Sequence, residues 1–369
     1  MSVSKSRELR GALKEFAQTS TALALALFAV DVLLYVLMIA GIFVFESAVL
    51  KMGCSVGAGL VISSLFVIGH DAAHNSYTSS KRLNTFISYV AFFPALHNYS
   101  LWRVAHSRFH HVHTNQKGMN SWSPLSKSEY DNFPGWRRFV EQIYRSPLGI
   151  GVYYMVERWW KYKFFPTRRA IQDLEGGYWK DFSLVLSFIV IYAGALGYLG
   201  SVSAGSTAFS GIMLGFVLPF IVWNYAMGLT VYLQHTNQRT PWFDDAEEAD
   251  GLNGQEEVTV HVIFPEWYGF ISHYIMEHTA HHVLPTIPMY HLKEAQKRLK
   301  ERLGDSMIQE KFSFSYLFHT IGVCKIYDYK RHQWQNFKGE YTSECTLPDG
   351  MKDKEIPLDG RDARDLKYA

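Results

Sequence analysis

The sequence predicts an all-α integral membrane protein: four transmembrane helices in two hairpins, with a cytosolic helical cap. Three observations predict it. The 369 residues are 48% hydrophobic and 19% charged, against about 25% charged in an average soluble protein. The apolar residues are bunched into four long runs. Eight of the sixteen histidines fall in three short boxes, the first directly past the second run and the last after the fourth.

Taken in order, Lys5, Arg7, Arg10 and Lys14 lie on a polar, helix-like N-terminal segment ahead of the first run. The runs cover about residues 21–45, 50–69, 182–199 and 207–231, near the ~20 residues that a spanning helix needs. The first is too long for a signal-peptide core, and nothing suggests secretion. Short connections, Glu46 to Val49 and Ser201 to Ser206, pair the runs into hairpins. The segment from Lys81 to Lys180 is rich in Lys and Arg, so the positive-inside rule places it and both termini in the cytoplasm. The cap then comprises residues 70–181 and 232–347, with 348–369 a charged, flexible tail, the whole chain of 1–369 forming one domain.

Within the cap, Thr85 to Leu96 is apolar but too short to span and reads as an interfacial or re-entrant segment. Glu157 to Arg169 mixes aromatic and basic residues, the composition of a membrane-surface anchor. The acidic stretch Asp244 to Glu257 reads as a solvated connection. Two prolines make Val283 to Tyr290 a turn. Tyr290 to Leu303 follows as an amphipathic helix, with Leu292, Ala295, Leu299 and Leu303 in phase and Gly304 as its stop.

The boxes are His70 and His74 in GHDAAH, His106, His110 and His111 in HSRFHH, and His278, His281 and His282 in HTAHH. At about 100° per residue, His106 and His110 share a helix face and His111 lies about a quarter-turn away. The pair His70/His74 and the trio His278/His281/His282 each fall on one face. Neutral imidazole binds iron, zinc, copper and nickel. A structural zinc site uses four ligands and a catalytic one about three, whereas eight box histidines plus His235 suit two ions with roughly four imidazoles each. Hard cations would call for clustered carboxylates. Asp71 and Glu277, each beside a box histidine, are candidate acceptors that fix an imidazole tautomer, and His113 is a further candidate neighbour.

His97, His261, His273, His291, His319 and His332 stand alone and read as surface or hydrogen-bonded residues. Asp31 interrupts the first run and is expected to be neutral or paired, facing the bundle. Asn224, near the cytosolic end of the fourth, is expected to bond across helices or line a tunnel. Cys54, Cys324 and Cys345 give neither a disulfide framework nor a cluster motif. The net charge of +2 indicates no polyanionic partner and no nucleic acid.

The order of runs and boxes resembles the membrane fatty-acid desaturase superfamily, from about Leu50 to Leu303. The gap from His70 to His74, Trp102, Thr114–Asn115, YLQHT around His235 and HHVLPTIPMY from His281 are similar to its acyl-lipid, methyl-end (Δ12/ω3-like) branch. Two features depart from that pattern: three residues, not two, precede the HH pair of the central box, and Asn120 stands where an acid is common. The resemblance implies a diiron centre with His235 as an additional ligand, and two iron ions (Fe2+/Fe3+) as cofactor. It implies O2-dependent desaturation of a lipid-linked fatty-acyl chain held in an apolar tunnel. No flavin, nicotinamide or haem fingerprint is present, so electrons would come from a separate donor of ferredoxin or cytochrome b5 type. Hydroxylation, triple-bond formation or carotenoid ketolation are alternatives on the same centre. A metal-ion transporter, of another class, would instead place histidines and acids near the bilayer midplane.

Overall fold

The computed structural model describes residues 2–119, 121–168, 177–244, 254–348 and 351. Among the described residues, four helices are long and apolar enough to cross a membrane: Thr21–Val44, Ala48–Ala73, Gly177–Val202 and Ala208–His235. The first starts where the Ser20 side chain accepts a hydrogen bond from the Leu23 amide, satisfying one of the donors that a helix start leaves open. Its exposed Leu33, Val36 and Leu37 form a surface suited to hydrocarbon, and the second helix is the most enclosed of the four.

The second helix packs against the first, the fourth and a shorter helix, Lys81–Phe92. Close approach to the fourth depends on Gly59, where a Cβ would stand 2.6 Å from Val222 Cβ and 2.7 Å from the Pro219 carbonyl oxygen. The third and fourth helices meet in the same way at Gly211, whose Cβ would lie 2.4 Å from the Leu196 carbonyl oxygen. Thr85 to Leu96 contributes to the Lys81–Phe92 helix, which buries Ile87, Ala91 and Phe92 and leaves Phe86 exposed.

Two helices run past the ends of their apolar runs. The second continues through His70 to Ala73, and the fourth through His235. Hydropathy marks where lipid stops, not where the hydrogen-bond ladder stops, and nothing in GHDAA or in VYLQ breaks a helix. Both extensions are enclosed by the cap, so their polar residues need no solvent.

The cap joins distant segments. Met289–Leu303 buries Met289, Leu292, Ala295 and Leu299 against Leu9 and Leu13 of the N-terminal helix Ser2–Leu13 and ends at Gly304 with φ 57°. A short helix, Gly149–Tyr153, runs into a π-helix, Tyr154–Phe164, along the fourth membrane helix.

The chain is not wholly α. His261–Ile263 pairs in parallel with Gln309–Lys311, and Ile326–Asp328 pairs antiparallel with Gln333–Gln335. Strands of three residues are too short to show an alternating pattern, which is why they left no signal in the sequence. The acidic stretch is not simply solvated either: Glu256 is buried and meets Lys5 Nζ at 3.0 Å. Residues 245–253, Asn120, Arg169 and the tail beyond 351 lie outside the described residues.

Candidate metal centre

The nine histidines singled out by box and by position sort into two groups. His70, His74, His106, His111 and His281 form one, and His110, His235, His278 and His282 the other, with the ligand atoms of each within 4.8 Å of one another. In the first group His70 Nε2 lies 3.0 Å from His106 Nε2, which lies 3.1 Å from His111 Nε2, itself 3.2 Å from His281 Nε2. In the second, His235 and His278 present their Nε2 atoms 2.9 Å apart, and His110 and His282 theirs 3.1 Å apart. The division is five and four, close to the expected four each. All nine come together, from stretches far apart in sequence.

The central box divides otherwise than α geometry predicts. Residues Ala105–His110 form a π turn, and the His111 amide donates to the His106 carbonyl at 3.1 Å. A π turn closes from i to i+5 and takes in one more residue than an α turn. His106 and His111 therefore serve one group, and His110 is thrown to the other, so the expected pairing of His106 with His110 fails. The extra residue between His106 and the HH pair is absorbed in this turn. The last box splits too: in the short helix His278–Val283, His278 and His282 join one group while His281 joins the other.

Neighbouring groups orient several of the rings. Asp71 Oδ1 accepts from His70 Nδ1 at 2.8 Å, and Asp71 Oδ2 takes the Met289 amide at 2.5 Å, as expected of an acceptor that fixes a tautomer. Glu277 does not act this way: its Oε2 is 2.5 Å from His261 Nε2, and the carboxylate turns to that residue instead of a box imidazole. His113 lies outside both groups. Three contacts were not foreseen. Gln255 Oε1 is 3.1 Å from His282 Nδ1, Thr114 Oγ1 is 3.4 Å from the same atom, and Trp102 stacks on His106 with centroids 4.4 Å apart. Gln255 carried no signal in the sequence and Thr114 only its place in the family pattern, because contact across the fold decides both. Asp31 has its partner in His273 Nε2, at 2.6 Å. Asn224 bonds to its own helix, at the Phe220 carbonyl, rather than across helices.

Electrostatics keep these rings in the form that can ligate a metal. Burial first, then neighbouring imidazoles, hold His74, His106, His111, His278, His281 and His282 well below the ordinary histidine range. They are neutral at pH 7, the state in which imidazole ligates. Opposed Nε2 atoms about 3 Å apart suit two bonds to one ion: at about 2.1 Å each and a right angle, two nitrogens are separated by about that much. The buried His74 Nε2 has no hydrogen-bond partner of its own. The donor set fits a pair of borderline transition-metal ions and no hard cation.

One cavity reaches both groups. It runs between the second and fourth membrane helices along Leu60, Ser63, Val67, Met227 and Val231, and touches His70, His106, His110, His235 and His278.

Comparison with known proteins agrees with this picture. A family model described as "Fatty acid desaturase" matches residues 46–310. The chloroplastic omega-6 fatty acid desaturase of Glycine max is 29% identical over 280 residues, covering 74% of this chain and 62% of that protein. An sn-1 oleoyl-lipid 12-desaturase of Picosynechococcus is 25% identical over 282 residues, covering 76% and 77%. An sn-1 acyl-lipid omega-3 desaturase (ferredoxin) of Synechocystis is 28% identical over 256 residues, covering 67% and 66%.

Proposed function

Because the chain belongs to the fatty acid desaturase family, we propose that it introduces a double bond into a lipid-linked fatty-acyl chain. The observation that carries this is the sorting of nine buried or half-buried imidazoles into two adjoining groups beside an apolar cavity. Two iron ions are the proposed occupants. His70, His74, His106, His111 and His281 hold one, and His110, His235, His278 and His282 the other. When bound, they supply the redox chemistry that methylenes require, since a methylene has no acidic proton for a general base to take.

The protein's own residues do the rest. Leu60, Val67, Met227 and Val231 offer the acyl chain an apolar wall and keep water from the reacting carbons. Asp71 holds the His70 ring by its Nδ1 proton and so points Nε2 inward. Trp102 packs flat on His106 and fixes its plane. The balance is that the acyl chain gives up two hydrogens and O2 becomes two waters. Two further electrons and two protons come from outside the chain. A ferredoxin-type donor is the proposed source, supported by the name of the Synechocystis relative, an omega-3 desaturase (ferredoxin). The four long helices are proposed to form two membrane hairpins in a single domain, with both termini and the imidazoles on the cytoplasmic side, on the support of the basic residues that flank them.

Expression in a host lacking polyunsaturated lipids, followed by double-bond mapping, tests the reading. New dienes are expected; a hydroxylated or ketolated product would move the assignment to another reaction. His110→Ala and His281→Ala, one from each group, are expected to abolish the product and lower bound iron. Full activity in either would remove that residue from the ligand set.

A further inference from the structure

The cavity that reaches the imidazoles has a charged end. Arg158, Tyr162, Lys163, Pro166 and Thr167 also line it; Thr167 is exposed and Pro166 half-buried, so this end opens outward. Arg158 and Lys163 both belong to the π-helix Tyr154–Phe164. A π turn sets residues i and i+5 one turn apart, whereas in an α-helix five steps of about 100° would leave them about 140° apart. The unusual winding brings the two cations to one side.

Among the described residues, neither has the carboxylate that a cation held in a cavity normally finds. Glu157 takes Arg137 at 3.3 Å and Lys161 at 2.6 Å, while Glu141 takes Arg137 at 2.6 Å and Arg145 at 3.9 Å. Among the described residues, Arg158 and Lys163 have no such pairing. Arg158 is 8% exposed, its Nε is buried without a hydrogen-bond partner, and its guanidinium sits over the Tyr162 ring at 5.1 Å. Burial, and then the nearby Arg158, push the Lys163 ammonium down to about 7. Lys161, by contrast, is half-exposed and paired, as an ordinary interfacial lysine is. A buried guanidinium and a half-buried ammonium at the mouth of an apolar channel, unpaired among the described residues, suit an anionic ligand, and a guanidinium beside an ammonium matches phosphate oxygens in charge and geometry.

We propose that Arg158 and Lys163 bind the phosphate of a glycerophospholipid substrate, whose acyl chain lies in the cavity toward His106 and His110. The inference rests on the desaturase reading and names the head group which that reading leaves open. Among the described residues, Arg158 and Lys163 are the only Lys or Arg that line the cavity. They suit a single phosphodiester better than the several phosphates of a coenzyme A thioester.

The test is equilibrium binding to the full-length, iron-loaded protein in detergent. Three ligands with the same acyl chains are compared: phosphatidylglycerol, an uncharged galactosyl diacylglycerol and acyl-coenzyme A. Phosphatidylglycerol should bind about tenfold or more tighter than the galactolipid, the worth of one hydrogen-bonded charge. Arg158→Gln and Lys163→Gln should each shrink that ratio while galactolipid binding stays within about twofold, as one charge-assisted contact is removed and the apolar wall is kept. Arg158→Lys should recover part of it. Equal affinities in the unaltered protein, or an undiminished ratio in both Gln variants, would overturn the proposal. Preference for acyl-coenzyme A that is lost in Arg158→Gln would overturn the glycerolipid assignment. Binding is read without turnover, so a selective protein that makes no dienes would sink the desaturase reading and leave the phosphate site standing.

Discussion

Asp71 shows how much a single side chain carries here. It is fully buried, yet both its oxygens are engaged, one by His70 Nδ1 at 2.8 Å and the other by the Met289 amide at 2.5 Å. It therefore couples a ligand ring to the start of the Met289–Leu303 helix. Asp71→Asn keeps the shape but not the charge, and the amide can present only one oxygen. Iron affinity is expected to fall by about tenfold to a hundredfold, the usual cost of losing a ligand's outer partner. The check is iron retained against a chelator series, with circular dichroism confirming an unchanged helix content; undiminished retention would show that His70 needs no such support. Glu277 looked equivalent in the sequence and is not. A residue's neighbours along the chain are legible, but the direction of its side chain is set by packing: Glu277 sits at the N-cap of the last box's helix and reaches His261. His273 likewise read as an isolated histidine, because its partner Asp31 lies 242 positions away.

At the scale of elements, the second and fourth membrane helices matter most, since each carries imidazoles on an extension beyond its apolar run. Their separation is set by Gly59 against Pro219 and Val222. Gly59→Leu would wedge them apart, because the obstructing Pro219 oxygen is backbone and cannot rotate away. Overpacking of this kind costs about 1–3 kcal/mol. The displacement would also separate His70 from His235, so the expected result is a lower Tm together with a cut in iron content, whereas Gly53→Ala, where a Cβ meets nothing within 4 Å, should change neither. Iron content unaffected by Gly59→Leu would mean that the cap alone positions the rings. The four spans were legible from length and hydropathy, and the nine histidines from residue type and spacing. How the histidines divide was not. The assignment of His106, His110 and His111 depends on the π turn at Ala105–His110, and a count at 100° per residue assumes the winding that this turn departs from. The short strands and the burial of Glu256 escaped for a related reason: both are fixed by segments that meet only in the folded chain.

For the whole molecule, the proposed metal centre would also act as a fastener. The N-terminal helix, the middle segment and the C-terminal half of the cap are brought together around rings from four separate stretches, at 70–74, 106–111, 235 and 278–282. Without ions, opposed nitrogens about 3 Å apart must satisfy one another, and a neutral imidazole has only one N–H to give. Each facing pair is satisfied only where one ring carries its proton on Nε2 and the other does not, a tautomer pattern that bound ions would make unnecessary. Ligand binding adds RT ln(1 + [L]/Kd) to stability, about 2.7 kcal/mol at a hundredfold excess over Kd. Removing iron with a chelator should therefore lower Tm by several degrees. The loss should also be local, because the membrane helices pack through Gly59, Gly211 and apolar side chains that touch no ligand. Hydrogen exchange is expected to speed up around residues 70–74, 105–115 and 278–283 and to stay slow through Thr21–Val44 and Gly177–Val202. Uniform acceleration across all four spans would show that the centre holds the membrane bundle as well as the cap. No acceleration anywhere would show that the imidazoles are held in place by packing alone, ready for metal before it arrives.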